Sequence, residues 1–178
     1  TTPEHIEAIA AAVRDCPCRP RPVKSGRLHV SGLEAVAVDR SRNFTNIAER
    51  TNVAGSRKFA RLISAGDYPQ ALAVAVSQLE GGAAIMDVNM DDAMLDSRAE
   101  MEKFLRHVAG EPAVARAAIM VDSSHWETVL AGLKNAQGKC IVNSISLKEG
   151  EESFLAKARD ADRLGAAIAV MAFDEQGQ

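Results

Sequence analysis

Five short apolar runs in the chain each end in carboxylates or carboxamides: NIAERTN at 46–52, AIMDVN at 84–89, IMVDSS at 119–124, IVNSIS at 141–146 and VMAFDE at 170–175. Asp122 follows Ile119-Met120-Val121, so a carboxylate stands at the end of a buried strand, where its desolvation is costly unless a partner binds it. Capping of the next helix, whose first turn would be Ser123–Trp126, is the competing role. Asn143 stands in the same relative place one strand later, and its amide both donates and accepts. A ligand edge that mixes donors and acceptors would suit that pair. In Asp87-Val88-Asn89 the alternation of a strand places Asp87 and Asn89 on one face. Glu49, Arg50, Thr51 and Asn52, followed by Gly55, read as a polar loop directly after the first strand, close to a ligand or simply solvated.

Other chemistries fit less well. Asp91 and Asp92 extend the second run toward a calcium loop, but its sixth position is Asp92 where Gly is needed and its twelfth is Arg98 where Glu is needed. No GxGxxG follows a strand and no GxxxxGK[ST] occurs, which removes dinucleotide and P-loop readings. His5, His29, His107 and His125 show no metal-ligand spacing. Cys16-Pro17-Cys18 has one residue between thiols where zinc pairs have two to four, so Cys16, Cys18 and Cys140 read as free thiols and no metal site is expected in the chain.

These polar ends share a rim only if the runs are parallel strands, and the intervening segments supply the crossovers. Thr2, Pro3 and Glu4 open a helix over 3–14, with Ile6, Ile9, Ala10 and Val13 at helical spacing. Cys16 to Gly26, rich in Pro and basic residues without periodicity, reads as an extended linker. Strands are then expected at Phe44–Ala48, Ala83–Val88, Ala118–Val121, Cys140–Val142 and Ala166–Ala172, with helices at Tyr68–Glu80, Ser97–Val108, Trp126–Leu133 and Ser153–Leu164. Alternation of this kind implies right-handed βαβ units, and active sites of such sheets gather at the C-terminal ends of the strands. The expected fold is α/β, the first five strands of a TIM-type (β/α)8 barrel. A complete barrel takes about 250 residues, and the chain opens on Thr1 and stops on Gln178 just after a strand, so it is expected to be part of a larger protein.

At 178 residues and 47% hydrophobic, the chain can bury one core, and its Ala, Val and Ile suit a parallel sheet. The formal net charge of −3 offers no general attraction to phosphate backbones or anionic lipid, so nucleic acid and membrane surfaces are not expected partners. No apolar run approaches the roughly 18 to 20 residues that span a bilayer, nor does a signal segment open the chain, so a cytoplasmic protein is expected.

ERTNVAGSRKF at 49–59, DVNMDDAMLD at 87–96, AGEPAVARAAIMVDSS at 109–124, GKCIVNSISLKEG at 138–150 and GAAIAVMAFDEQGQ at 165–178 together resemble the pterin-binding domain of the cobalamin-dependent methionine synthase family. The resemblance covers nearly everything from Asn43 to Gln178, and Thr1 to Ile6 resembles the end of that family's homocysteine-binding domain. It implies a division into a last helix of that preceding domain at 1–14, a linker at 15–42 and the N-terminal part of a barrel similar to dihydropteroate synthase at 43–178. It further implies that 5-methyltetrahydrofolate binds and presents its N5-methyl group to cob(I)alamin on another domain, homocysteine then taking the methyl group to give methionine. Zinc and cobalamin would both lie on other domains of the parent protein.

Carried across by position, the resemblance makes Asp122 and Asn143 pterin-contacting and catalytic, and adds Glu49, Thr51, Asn52, Asp87 and Asn89 to the pterin site. The chemistry agrees, because a ring N–H beside an amino group offers two parallel donors to one carboxylate. Dihydropteroate synthase shares the Asp and Asn positions, but its first loop resembles NxTPDSFSDGG and ERTNVAGS does not. Another pterin-dependent corrinoid methyltransferase, and a folate-binding fragment without turnover, are the remaining alternatives.

Overall fold

A computed structural model describes residues 1–178 apart from Pro22, Lys24, Ser25, Arg42, Glu175 and Gln178. Parts of the expected linker and the Glu175 end of the fifth apolar run therefore lie outside the described residues. Helix α1, Pro3–Val13, begins where expected, with Thr2 as N-cap and the ring of His5 accepting from the Thr2 N–H. None of its residues is buried.

The strands β3 (Ile47–Asn52), β4 (Ile85–Asn89), β5 (Ala118–Asp122), β6 (Ile141–Ile145) and β7 (Ala167–Val170) form one parallel sheet in sequence order. Between them run α2 (Arg57–Ser64), α3 (Tyr68–Glu80), α4 (Ser97–Ala109), the short α5 (Pro112–Ala115), α6 (Trp126–Asn135) and α7 (Glu151–Arg163). Alternation divides the sheet into two faces. Met86, Val88, Ile119, Val121 and Val142 pack on the helices, against Phe59, Met101, Phe104 and Val129. Phe59 of α2 meets Phe104 of α4 edge to face, with ring centroids 5.2 Å apart. The opposite face carries Ile85, Ala118, Met120 and Ile141, packed on Val30 and Val36. A helix layer on one face only, over strands in sequential order, is the arrangement of the first five units of a (β/α) barrel, since a doubly wound sheet takes helices on both faces.

Val30 and Val36 belong to an element that the sequence did not reveal. Strands β1 (Leu28–Ser31) and β2 (Ala35–Val38) pair as an antiparallel hairpin, in a stretch read above as linker. With four residues each, the strands are too short to show a reliable alternation. The hairpin is fixed by its surroundings: Leu33 N–H donates to Ala115 O, Glu34 N–H to Arg116 O, and Ser31 exchanges hydrogen bonds with Lys139. All of these lie before β5 and β6, so the hairpin floors the N-terminal ends of the strands. A Cβ on Gly32 would sit well inside contact distance of the Ala115 and Ala117 carbonyl oxygens, so only glycine allows this approach.

Two further expectations are corrected. The first parallel strand is Ile47–Asn52, where Phe44–Ala48 was expected, so Glu49, Thr51 and Asn52 stand in the strand and not in a loop after it. Cross-strand bonds hold this polar stretch in the sheet: the Thr51 hydroxyl donates to the Asp87 carbonyl, and Val53 N–H donates to Asn89 O. The second correction is α2, which SRKF had not suggested; Ser56 accepts from Phe59 N–H as its cap, and Phe59 and Ile63, one turn apart, are its buried anchors. The remaining helices and strands fall within a few residues of the expected spans, and α3 buries Ala71, Val74, Ala75 and Leu79.

Candidate functional site

Register places four polar side chains in one row across four strands. Asn52 of β3 pairs with Asn89 of β4, Asn89 with Asp122 of β5, and Asp122 with Asn143 of β6. All four stand at or near the C-terminal ends of their strands, on the face away from the helices, opposite the end closed by the hairpin. Asp87 lies one inward position below Asn89 and is 2% exposed. β5 is apolar until it reaches the rim at Asp122, and β6 opens on Ile141-Val142 before Asn143, so the apolar runs mark the sheet while the polar residues are left for chemistry.

Two hydrogen bonds tie the row together. Asn89 Nδ2 donates to Asp122 Oδ2 at 2.9 Å, and Asn143 Nδ2 donates to Asp87 Oδ1 at 3.2 Å. The Asn89 side-chain Oδ1 in turn accepts Asp91 N–H at 2.8 Å. Asn52 uses its side-chain oxygen to accept Gly55 N–H at 2.8 Å, which turns the chain away after β3. Thr51 is fully buried and pairs in register with Val88, a residue of the helix-facing side; its hydroxyl braces the Asp87 backbone from outside the row. Glu49 lies within the register irregularity between Ala48 and Thr51, is exposed, and acts on the row through its charge.

Burial pushes the Asp87 carboxyl up to about 7; the Asn143 hydrogen bond opposes this, and the charges of Asp122 and Glu49 add to it. Burial also raises Asp122, against the bond from Asn89 and with the charges of Asp91 and Glu49. Asp122 does not cap the following helix: α6 has His125 as N-cap, and His125 N–H is accepted by Ser123 Oγ. With one oxygen held by Asn89, Asp122 retains acceptor capacity for a ligand.

Sequence reasoning missed Asp91 as a part of this rim. Its carboxylate accepts Ser123 Oγ at 2.6 Å and Ser124 N–H at 2.6 Å, fixing the loop that follows Asp122. Its position two residues beyond the rim residue Asn89 was the available signal, masked by the calcium-loop comparison. A polar cleft of about 360 Å³ opens beside Asp122 and Asn143, walled by Ser144, Ser146, Trp126 and Phe173 among others. Lys157 stands in its outer wall, ion-paired with Glu149 at 2.7 Å and 5.9 Å from the Trp126 ring centroid. A second, more apolar groove of about 410 Å³ lies between Leu147, Phe154, Leu155 and Asp174 and contains none of the row. The polar cleft is the candidate site because it brings carboxylate, carboxamide and hydroxyl groups to one concavity.

Residues 48–178 match the family model described as pterin binding enzyme. The chain belongs to that family. The matched span begins at the second residue of β3 and takes in the rest of the parallel sheet and every residue of the row. As a pterin-binding enzyme it has its concave polar site where parallel sheets place substrates, at the carboxyl ends of the strands. Among the described residues, no helix of this pterin-binding enzyme is long and apolar enough to cross a membrane. Cys16 and Cys18 are exposed and stand apart from the row in sequence; Cys140 is buried on the helix side, which pushes its thiol up to about 11.

Proposed function

We propose that this pterin-binding enzyme binds 5-methyltetrahydrofolate and presents its N5-methyl group for transfer to cob(I)alamin, as one step in making methionine from homocysteine. The observation that carries the reading is the row of Asn52, Asn89, Asp122 and Asn143 above the buried Asp87, joined to the five methionine-synthase-like motifs at 49–59, 87–96, 109–124, 138–150 and 165–178. Asp122 is the anchor: a carboxylate accepts the parallel donors of the pterin ring N–H and its neighbouring amino group. Asn143 orients the ring and offers a hydrogen bond toward the departing N5, which must gain a proton or a strong donor as the methyl group leaves. Asn52 and Asn89 extend the row beyond Asp122, while Thr51 and Asp91 hold the strand and the loop on which it rests.

Cobalamin supplies the methyl-accepting metal centre and belongs to another domain of the parent protein, as do homocysteine and its zinc. The cobalamin-binding and homocysteine-binding domains are therefore the partners, and the cytoplasm is the compartment. The test is single-turnover methyl transfer from 5-methyltetrahydrofolate to added cob(I)alamin by the full-length protein, followed as loss of cob(I)alamin absorbance. Transfer that Asp122→Ala slows by at least tenfold supports the reading. Failure to transfer, with condensation of a pterin and 4-aminobenzoate in its place, would assign the chain to dihydropteroate synthesis.

A further inference from the structure

We infer that Asp87 is a positioning residue whose proton decides which end of the Asn143 carboxamide meets the ligand. An ionised carboxylate only accepts hydrogen bonds, so the amide atom facing Asp87 Oδ1 at 3.2 Å must be nitrogen. The Asn143 oxygen is then left for the cleft, which Asn143 lines beside Asp122. Once Asp87 carries a proton it has an O–H to give, and the amide can turn, accept that O–H with its oxygen and present its N–H groups to the ligand. Asn89 has no such choice. Its Oδ1 accepts Asp91 N–H, a backbone donor that never becomes an acceptor, and this holds the amide with its Nδ2 on Asp122.

The surroundings of Asp87 suit a group that changes protonation in the working range. Its exposure is 2%, and the charges that act on it are both carboxylates, Glu49 from β3 and Asp122 from β5; from β6 it meets the neutral Asn143. Burial and these charges place its titration at about 7. The inference rests on the folate reading for its direction. N5 of 5-methyltetrahydrofolate and its ring carbonyl are acceptors, so a ligand edge of this kind favours the turned amide and hence the protonated Asp87. Binding then draws one proton from solvent onto the Asp87 carboxylate, with no bond made or broken in the ligand.

The experiment is calorimetric titration of 5-methyltetrahydrofolate into the full-length protein at about pH 8, in two buffers of different ionisation enthalpy, with wild type and Asp87→Asn. The heat difference counts protons. Wild type should take up close to one proton per site, and its Kd should rise about tenfold per pH unit above pH 8; in Asp87→Asn both effects should vanish. Equal proton uptake in the two proteins, or none in wild type, overturns the inference and leaves the folate reading intact. Absence of any binding by wild type sinks the folate reading instead. A second measurement needs no ligand: an infrared carbonyl band of a protonated carboxyl should grow in as wild type is brought from about pH 8 to 6 and be missing from Asp87→Asn. Persistence of that band in the variant overturns the inference however the ligand behaves.

Discussion

Asp87→Asn should relieve a pH-dependent strain on folding, and its size follows from the carboxyl's burial. In the folded chain Asp87 titrates at about 7, against 3.8 for an unperturbed Asp. Between those values the folded state keeps a proton that the unfolded chain has released, so each rise in pH favours unfolding; above about pH 7 both states are ionised and the loss stops growing. Three pH units at about 1.4 kcal/mol each set a ceiling of about 4 kcal/mol. Relaxation of the site and entry of water reduce this, so about 2 kcal/mol is the expected effect. Asparagine is nearly the same shape, keeps a hydrogen-bonding partner for Asn143 and carries no charge. Urea unfolding of the two proteins from pH 4.5 to 8.5 should show the variant gaining on wild type steadily up to about pH 7 and then running parallel to it. Curves parallel across the whole range, or a variant that loses ground as pH rises, would refute the assignment of a raised carboxyl at this position.

Val30→Ala opens the floor of the sheet at a fully buried side chain, and urea unfolding should register a loss of about 2 kcal/mol, while a loss below about 0.5 kcal/mol would mean that the hairpin does not seal the strands. Gly32→Ala should cost at least as much as overpacking typically does, about 1–3 kcal/mol, because its Cβ meets backbone carbonyl oxygens that cannot move aside. Asp91→Ala removes both anchors of the 123–124 loop; hydrogen exchange at Ser124 should quicken by at least tenfold, and unchanged protection would exclude Asp91 as the brace.

The sheet was legible because its central strands are buried on both faces and so read as apolar runs, as in Ile119-Met120-Val121. The same property made the rim legible: Asp87, Asn89, Asp122 and Asn143 are conspicuous for interrupting or ending such runs. What the sequence hid was held together by long-range contacts. The β1–β2 hairpin has little pattern of its own and is defined by carbonyls of Ala115, Arg116 and Lys139, far along the chain. Glu49 to Asn52 look like loop residues, and it is the Thr51 hydroxyl on Asp87 and Val53 on Asn89 that keep them in the sheet. Asp91 was weighed only against a calcium loop, which Asp92 and Arg98 exclude, and its actual partners, Ser123 and Ser124, lie one whole βα unit later.

Asp122 carries the pterin assignment, and its removal is the direct test. Calorimetric titration of 5-methyltetrahydrofolate into the full-length protein should show Asp122→Ala binding more weakly than wild type by at least about 2 kcal/mol, some thirtyfold, since two ligand donors lose their acceptor in a buried site. Asn143→Ala should weaken binding by a smaller margin. Equal affinity in all three folded proteins would contradict the assignment and leave the row at the strand ends without its proposed ligand.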